Sequence, residues 1–465
     1  MAIEAAFMVP HPPMIVPDVG RGSEERVRAT IDSYEKVADE IAHIAPDTII
    51  ISSPHSIMYG DYFHISPGRA ARGSFSSFGA KNVSFNEQYD DELVSTIAGL
   101  CDKADIPAGT LGEREPELDH GTMVPLYFIE KKYTRFKLVR IGLSGLPLTE
   151  HYRLGQMIAE AVGKLGRKAV YVASGDLSHK LQDYGPYGFA KEGPIYDKRI
   201  MDVCSRAAFG ELFDFDEAFC DKAAECGHRS FVIMAGALDG VKVRATQLSH
   251  EDVTGVGYGI CTFYPEEYDK DDRRFLDIYL KGKHKEMEER YKDSDEYVLL
   301  ALRSLQNYII NGRVVDKNDC RDLITDEMND TKAGAFVSIH EHGKLRGCIG
   351  TILPTTGSVA DEIIQNAVSA CARDPRFEPI REDEIPYLEV NVDVLTKPEK
   401  ISSKDELDVK RYGVIVTHGY KRGLLLPDLD GVDTIDDQID IARRKGGIRE
   451  DEPYELERFE VVRHI

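Results

Sequence analysis

Hydrophobic residues along this chain follow two patterns, and the change falls near residue 265. In the first part, short continuous apolar runs alternate with stretches of helical spacing. The runs at 3–9, 48–51, 136–141 and 169–173 are rich in β-branched residues, as suits strands covered on both faces. Val27, Ile31, Tyr34, Val37, Ala38 and Ile41 form a stripe that predicts a helix over 23–45, with Ser23 as its N-cap. Residues 152–165 predict another. Such alternation builds an α/β domain with a mainly parallel sheet. Segments 241–248 and 257–264 predict a closing hairpin, with Thr254-Gly255 in the turn region.

Residues 265–296 are charge-dense and read as a linker with helical pieces. Beyond them the grammar changes. A helix opens at Ser294, carries Val298, Leu299, Leu302, Leu305 and Ile309, and stops at Asn311-Gly312. Segments 334–340 and 344–350 predict a hairpin turning at His342-Gly343. Ser358-Val-Ala-Asp361 reads as a capping box for a helix running to about Cys371. Leu388, Val390, Val392 and Val394 alternate with polar residues, as in a strand with one wet face, and 414–426 reads as a hairpin. These elements predict an α+β domain. The expected organisation is 1–265, a charged linker at 266–291, and 292–465.

Composition narrows the function classes. The chain has 465 residues, too many for one core. Its net charge of −23 argues against nucleic-acid or anionic-membrane partners. No apolar run approaches the roughly 20 residues of a membrane span. The first apolar run carries Glu4, has no basic start and ends at Pro10, unlike a targeting leader. Eight scattered cysteines form no Cys-x-x-Cys pair, so free thiols in a reducing cytoplasm are expected.

Histidines supply the chemistry. His11 follows the first apolar run within Val9-Pro10-His11-Pro12-Pro13, and His55 follows the second within Ser52-Ser53-Pro54-His55. His179 follows a third in Gly175-Asp-Leu-Ser-His179. Ligands of open α/β sheets bind outside the carboxyl ends of the strands, so these imidazoles point to a metal site. His120 in Asp119-His120-Gly121 can reach the same edge, and Glu225 or Cys226 can supply an anionic ligand. Two histidines with Glu225 make a facial triad suited to Fe(II), which leaves adjacent positions for substrate and O₂. With Cys226 the set suits zinc or copper. Glu225 is the preferred third ligand, although it can equally cap the helix that follows. Tyr184 and Tyr187 can line a pocket for an aromatic ring, or sit in an ordinary turn. His43, His64, His151, His228 and His250 read as surface or packing residues.

Together these motifs resemble the class III extradiol dioxygenase superfamily, the LigB-like fold that includes the Memo branch, over residues 1–265. The resemblance implies Fe(II) on the residues matching His11, His55 and Glu225. It also implies His179 as acid/base and His120 as an assistant at substrate or O₂. The Memo-like branch carries a cysteine where Cys226 stands, and that departure favours zinc or copper.

In the second part, Leu345-Arg-Gly-Cys-Ile-Gly350 implies close backbone approach at Gly347, and Arg346 is placed to activate the Cys348 thiol. The bland reading of Cys348 is a small buried residue. With Arg373-Asp-Pro-Arg-Phe377, Glu389-Val-Asn-Val-Asp393 and Leu426-Pro-Asp-Leu429, this stretch resembles the AMMECR1 domain over 292–463. The fusion is similar to prokaryotic two-part proteins that associate with a radical SAM enzyme. This chain lacks the Cys-x₃-Cys-x₂-Cys motif of such enzymes, so a separate partner is implied. The expected activity is metal-dependent oxidation of a small aromatic or related redox-active substrate. A metal-binding adaptor and a zinc hydrolase are the alternatives.

Overall fold

A computed structural model describes residues 2–115, 117–269, 272–341, 343–429 and 431–465. The chain divides into two units, one ending at Tyr279 and the other beginning at Leu280. The first unit is built on a six-stranded sheet. Its strands are β1 (Ile3–Val9), β2 (Thr48–Ser53), β3 (Lys137–Gly142), β4 (Ala169–Ser174), β5 (Val241–Glu251) and β6 (Tyr258–Tyr268). Their order across the sheet is β3-β2-β4-β1-β6-β5. The first four are parallel, and β6 joins β1 antiparallel.

Covering on both faces explains the continuous apolar runs. Phe7, Val9, Ile49, Ile51, Val170 and Val172 point to one face. They pack there with residues of α1 (Arg28–Ile44) and α2 (His120–Glu130), including Tyr34, Val37, Val124 and Phe128. Each such side chain contributes about 1.5–3 kcal/mol by leaving water. On the other face α5 (His228–Ala237) crosses β4, and α3 (Leu148–Leu165) packs against α5. Between them in sequence, α4 (Glu192–Ser205) packs on β5. The helix expected from Ser23 starts later. Residues Ser23–Val27 form a 3₁₀ turn and α1 begins at Arg28. Ser23 is no N-cap, because its Oγ donates to the Gly20 carbonyl instead.

In the region expected to be a linker, β6 runs on to Tyr268 and a helix occupies Phe275–Tyr291. The second unit holds a four-stranded antiparallel sheet of Lys344–Gly350, Ala335–Glu341, Leu388–Leu395 and Val461–His464, in that order. One face packs on the helices Glu296–Asn311 and Val359–Ala372. A second sheet of Glu399–Ile401, Glu455–Phe459, Gly413–His418 and Lys421–Leu425 carries its own small core around Val414, Val416 and Ala442. This is the expected α+β arrangement. Gly312 ends the Glu296–Asn311 helix in a left-handed conformation. Ser358 caps the Val359–Ala372 helix by accepting from Asp361 N. The reciprocal half of the box is different, since Asp361 accepts from the Ser358 hydroxyl rather than from its backbone. His342, expected at the hairpin turn, lies outside the described residues.

All eight cysteines are free thiols, and only Cys226 and Cys348 are other than fully buried. Among the described residues no helix is long and apolar enough to cross a membrane.

Two of the histidines read as packing residues are buried and held neutral. Burial pulls His151 down to about 3, and it pulls His228 down to about 4 against the hydrogen bond to the Leu212 carbonyl. Below the ordinary histidine value near 6.5 the unfolded chain takes up protons that the folded one refuses. Stability present above that pH is therefore lost as pH falls toward 4, by about 1.4 kcal/mol per pH unit for each residue. Chemical denaturation of the metal-free protein from pH 7 to pH 4 should show this slope. His151→Gln should reduce the slope while lowering stability at pH 7.

Candidate metal centre

Because β4 lies between β1 and β2, the carboxyl ends of these three strands sit side by side. β1 leads to His11, β2 to His55, and β4 to Ser174 and the turn carrying His179. Ser174 sets the first ligand. Its hydroxyl donates to the Gly121 carbonyl at 2.6 Å, and its one proton is thereby committed. The contact of 3.0 Å to His11 Nδ1 must then be donated by the ring. That leaves the lone pair of His11 on Nε2. The backbone N–H of His11 donates to Asp176 Oδ1 at 2.7 Å, so the residue is held at both ends.

His11 Nε2 meets two more candidate donors. His55 Nε2 lies 3.0 Å away and Cys226 Sγ lies 3.7 Å away. The three ligand atoms all lie within 4.8 Å of one another. Ser53 Oγ accepts from His55 N at 3.2 Å and donates to Asp119, which in turn caps α2 by accepting from Thr122 N. His120 opens that helix, and its ring centroid lies 4.0 Å from that of His55 and 5.5 Å from that of His11.

The electrostatics suit cation binding. Burial, then the neighbouring His55, His120 and His179, hold His11 well below the usual histidine range. Burial and His120 pull His55 down to about 4. Burial likewise lowers His120. Neutral imidazoles are the form that ligates metals. The Cys226 thiol is pushed well above its ordinary value by burial and by the carboxylates of Asp176 and Glu225. It keeps its proton until a cation displaces it. Two imidazole nitrogens and one sulfur converge here, and such a donor set fits a tetrahedral or open-sided metal site.

Glu225, the preferred third ligand, is placed as a helix cap. Its carboxylate accepts from His228 N at 2.6 Å at the start of α5, which is the capping role, and burial raises it to about 7. Cys226 takes its place beside the histidines. The backbone explains the choice. Ala224 adopts a left-handed conformation, with φ 53°, and Gly227 packs against Gly175. A Cβ on Gly175 would sit 2.1 Å from Gly227 Cα, so only glycine allows this approach. The packed turn presents Cys226 to the strand ends, while Asp176 N donates to its sulfur at 3.3 Å.

His179 stands beside this cluster. Its Nδ1–H donates to the Ala224 carbonyl, which can only accept, so Nε2 is left as a base. Burial lowers it. Tyr187 packs on its ring edge-to-face at 5.1 Å. Tyr184 is 71% exposed, and among the described residues no ring contact joins it to the histidines; the turn reading applies to it. Three contributors carry no role in the motif reading: Asp176, Ser174 and Phe78, whose ring lies 5.6 Å from that of His120. Asp176 stands within the Gly175–His179 motif, so a buried carboxylate there was visible; the approach of Phe78 comes from a distant turn and left no local signal.

In the second unit, Arg346 does not act on Cys348. Its guanidinium pairs with Glu384 at 2.7 and 3.1 Å and donates to the carbonyls of Glu378 and Pro379. The Cys348 thiol accepts from Ser338 Oγ, and its backbone is tied to Asp374 and Arg376. Gly347 does mark a close approach, since a Cβ there would meet the Ala370 carbonyl at 2.2 Å.

A mostly parallel α/β sheet thus gathers histidines and a cysteine at its carboxyl edge, a donor set of the kind that holds metals. Residues 5–261 match the family described as the catalytic LigB subunit of aromatic ring-opening dioxygenase, and the chain belongs to that family. Residues 298–464 match AMMECR1. The Clostridium acetobutylicum protein CA_C1420 is 41% identical and covers 100% of this chain and 99% of its own. A Thermotoga maritima protein is 46% identical over 36% of this chain and 96% of its own. Two solved structures are also similar. The uncharacterized protein PH0010 from Pyrococcus horikoshii is 28% identical over 37% of this chain and 89% of its own, with a TM-score of 0.33. The uncharacterized protein JW3007 from Escherichia coli K12 is 15% identical over 56% and 99%, with a TM-score of 0.38.

Cobalt substitution distinguishes the two candidate ligands. Co(II) bound by the wild-type protein should show a thiolate-to-metal charge-transfer band. Cys226→Ser should abolish the band and Glu225→Gln should keep it. The reverse result would restore Glu225 as the ligand.

Proposed function

We propose that the first domain is a metal-dependent oxidoreductase acting on a small aromatic or related redox-active hydroxy compound. The convergence of His11 Nε2, His55 Nε2 and Cys226 Sγ beside a free base on His179 carries this reading. His11, His55 and Cys226 would hold the ion. With Fe(II) bound, the centre would supply open positions for a substrate oxygen and for O₂.

The chain's own residues then have defined work. His179, neutral because it is buried, accepts a hydroxyl proton at Nε2 and later returns it, while Ala224 keeps Nδ1 protonated. Phe78 packs on His120 and Tyr187 packs on His179, so each of these rings offers a flat apolar wall to an aromatic substrate. Asp176 and Ser174 hold His11 so that its lone pair does not turn away.

The thiol favours a second reading. A His₂Cys donor set suits zinc or copper better than a set with a carboxylate, and a zinc ion here would activate water for hydrolysis. A metal-binding adaptor for a separate radical SAM partner would bind the ion and turn over neither substrate class.

Metal analysis of protein purified without added metal separates these readings. Stoichiometric iron with O₂ uptake on catechols supports the oxidoreductase, and stoichiometric zinc without O₂ uptake defeats it. His11→Ala and His55→Ala should each lose bound metal; retention in both would sink the site. His179→Gln should keep the metal and lose turnover by about 10²–10⁴-fold. Normal turnover in that variant would remove His179 from the chemistry.

A further inference from the structure

Behind His179 lies a polar pair that the reaction does not use. Asp197, on α4, is buried with 2% of its surface exposed. Its Oδ1 accepts from Ser178 N at 2.8 Å, and its Oδ2 accepts from His250 Nε2 at 2.9 Å. His250 is on β5, so the contact ties a helix to an edge strand of the sheet. Ser178 immediately precedes His179. Its hydroxyl donates to the Ala223 carbonyl at 2.7 Å, next to the Ala224 carbonyl that takes the His179 Nδ1–H. On the other side, Gly257 N donates to the Ser178 carbonyl and Leu177 N to the Gly257 carbonyl.

A buried carboxylate needs partners for both oxygens. Here one partner is a side chain on the edge strand and the other is the backbone of the turn that bears the base. We propose that Asp197, oriented by His250, is the positioning residue that sets His179 against the metal centre. The proposal rests on the reading of His179 as the base for its functional meaning, but the geometry it asserts can be measured without turnover. His250 and Asp197 also border a cavity of about 410 Å³, together with Lys198, Gln247 and Asp252. Replacing His250 therefore opens an existing hollow further and leaves the apolar core intact.

The experiment uses full-length protein loaded with Co(II) and treated with diethylpyrocarbonate, which carbethoxylates imidazoles at an accessible unprotonated nitrogen. Peptide mass spectrometry gives the rate at His179, and the cobalt spectrum reports the ligand set. His250→Ala and Asp197→Ala should raise the His179 rate several-fold with the cobalt spectrum unchanged. His250→Gln can still donate to Asp197, and Asp197→Asn can still accept from Ser178 N; both should return the rate to the wild-type value. An unchanged rate in both alanine variants overturns the proposal. So does a rise that the Gln and Asn variants fail to reverse, which marks general loosening. A lost cobalt spectrum overturns it as well, by showing that the pair supports the ligands instead. If wild-type protein turns over no diol while these rates behave as expected, the oxidoreductase reading fails and the positioning role stands.

Discussion

Ser174 has a single hydroxyl proton, and the Gly121 carbonyl takes it. Everything at the site follows from that constraint. His11 must then donate from Nδ1, and its lone pair must face His55 and Cys226. The arrangement depends on the strand order, because Ser174 ends the strand that runs between those leading to the two histidines. It also depends on α2, whose start supplies Gly121, His120 and the capping Asp119. The helix cap and the sheet edge are therefore one hydrogen-bonded unit. A change in either would rotate the first ligand.

Burial gives this unit its chemical character. Taking three imidazoles out of water disfavours their charged forms, and repulsion from the neighbouring histidines adds to the effect at His11 and His55. The same burial keeps the Cys226 thiol protonated beside two carboxyl groups, and burial holds the nearer of these, Asp176, up at about 7. The cluster thus carries little net charge, with two imidazole Nε2 atoms and a thiol sulfur facing one another. Neutral imidazoles and a thiol that a cation can deprotonate are a donor set that fits a divalent metal.

The AMMECR1 unit is organised on different terms. Its most distinctive stretch, around Gly347 and Cys348, is anchored through backbone contacts to Asp374 and Arg376 from the Arg373-Asp-Pro-Arg-Phe377 segment. Arg376 and the backbone of Cys348 hold the Asp374 carboxyl well below the usual carboxylate range. Motif residues that look reactive in isolation are here joined to one another, and Arg346 is neutralised by Glu384. Their geometry accounts for the motif as a packing device between strand and loop.

Local pattern carried most of the fold. β-branched runs, helical stripes and the Asn311-Gly312 stop act over a few residues, so their physics is present in the sequence. Placement of His11, His55 and His179 at strand ends was legible for the same reason, and the parallel sheet then brings strand ends to one edge. The exceptions were local competitions, such as Ser23 donating to Gly20 rather than capping α1. What the sequence alone determined was a two-part chain with histidines gathered at a sheet edge. Only the tertiary structure decided which of Glu225 and Cys226 stands beside the histidines. Neighbouring residues have the same access to a site until the backbone between them is turned. Here the left-handed Ala224 and the Gly175–Gly227 contact, between segments about fifty residues apart, set that turn.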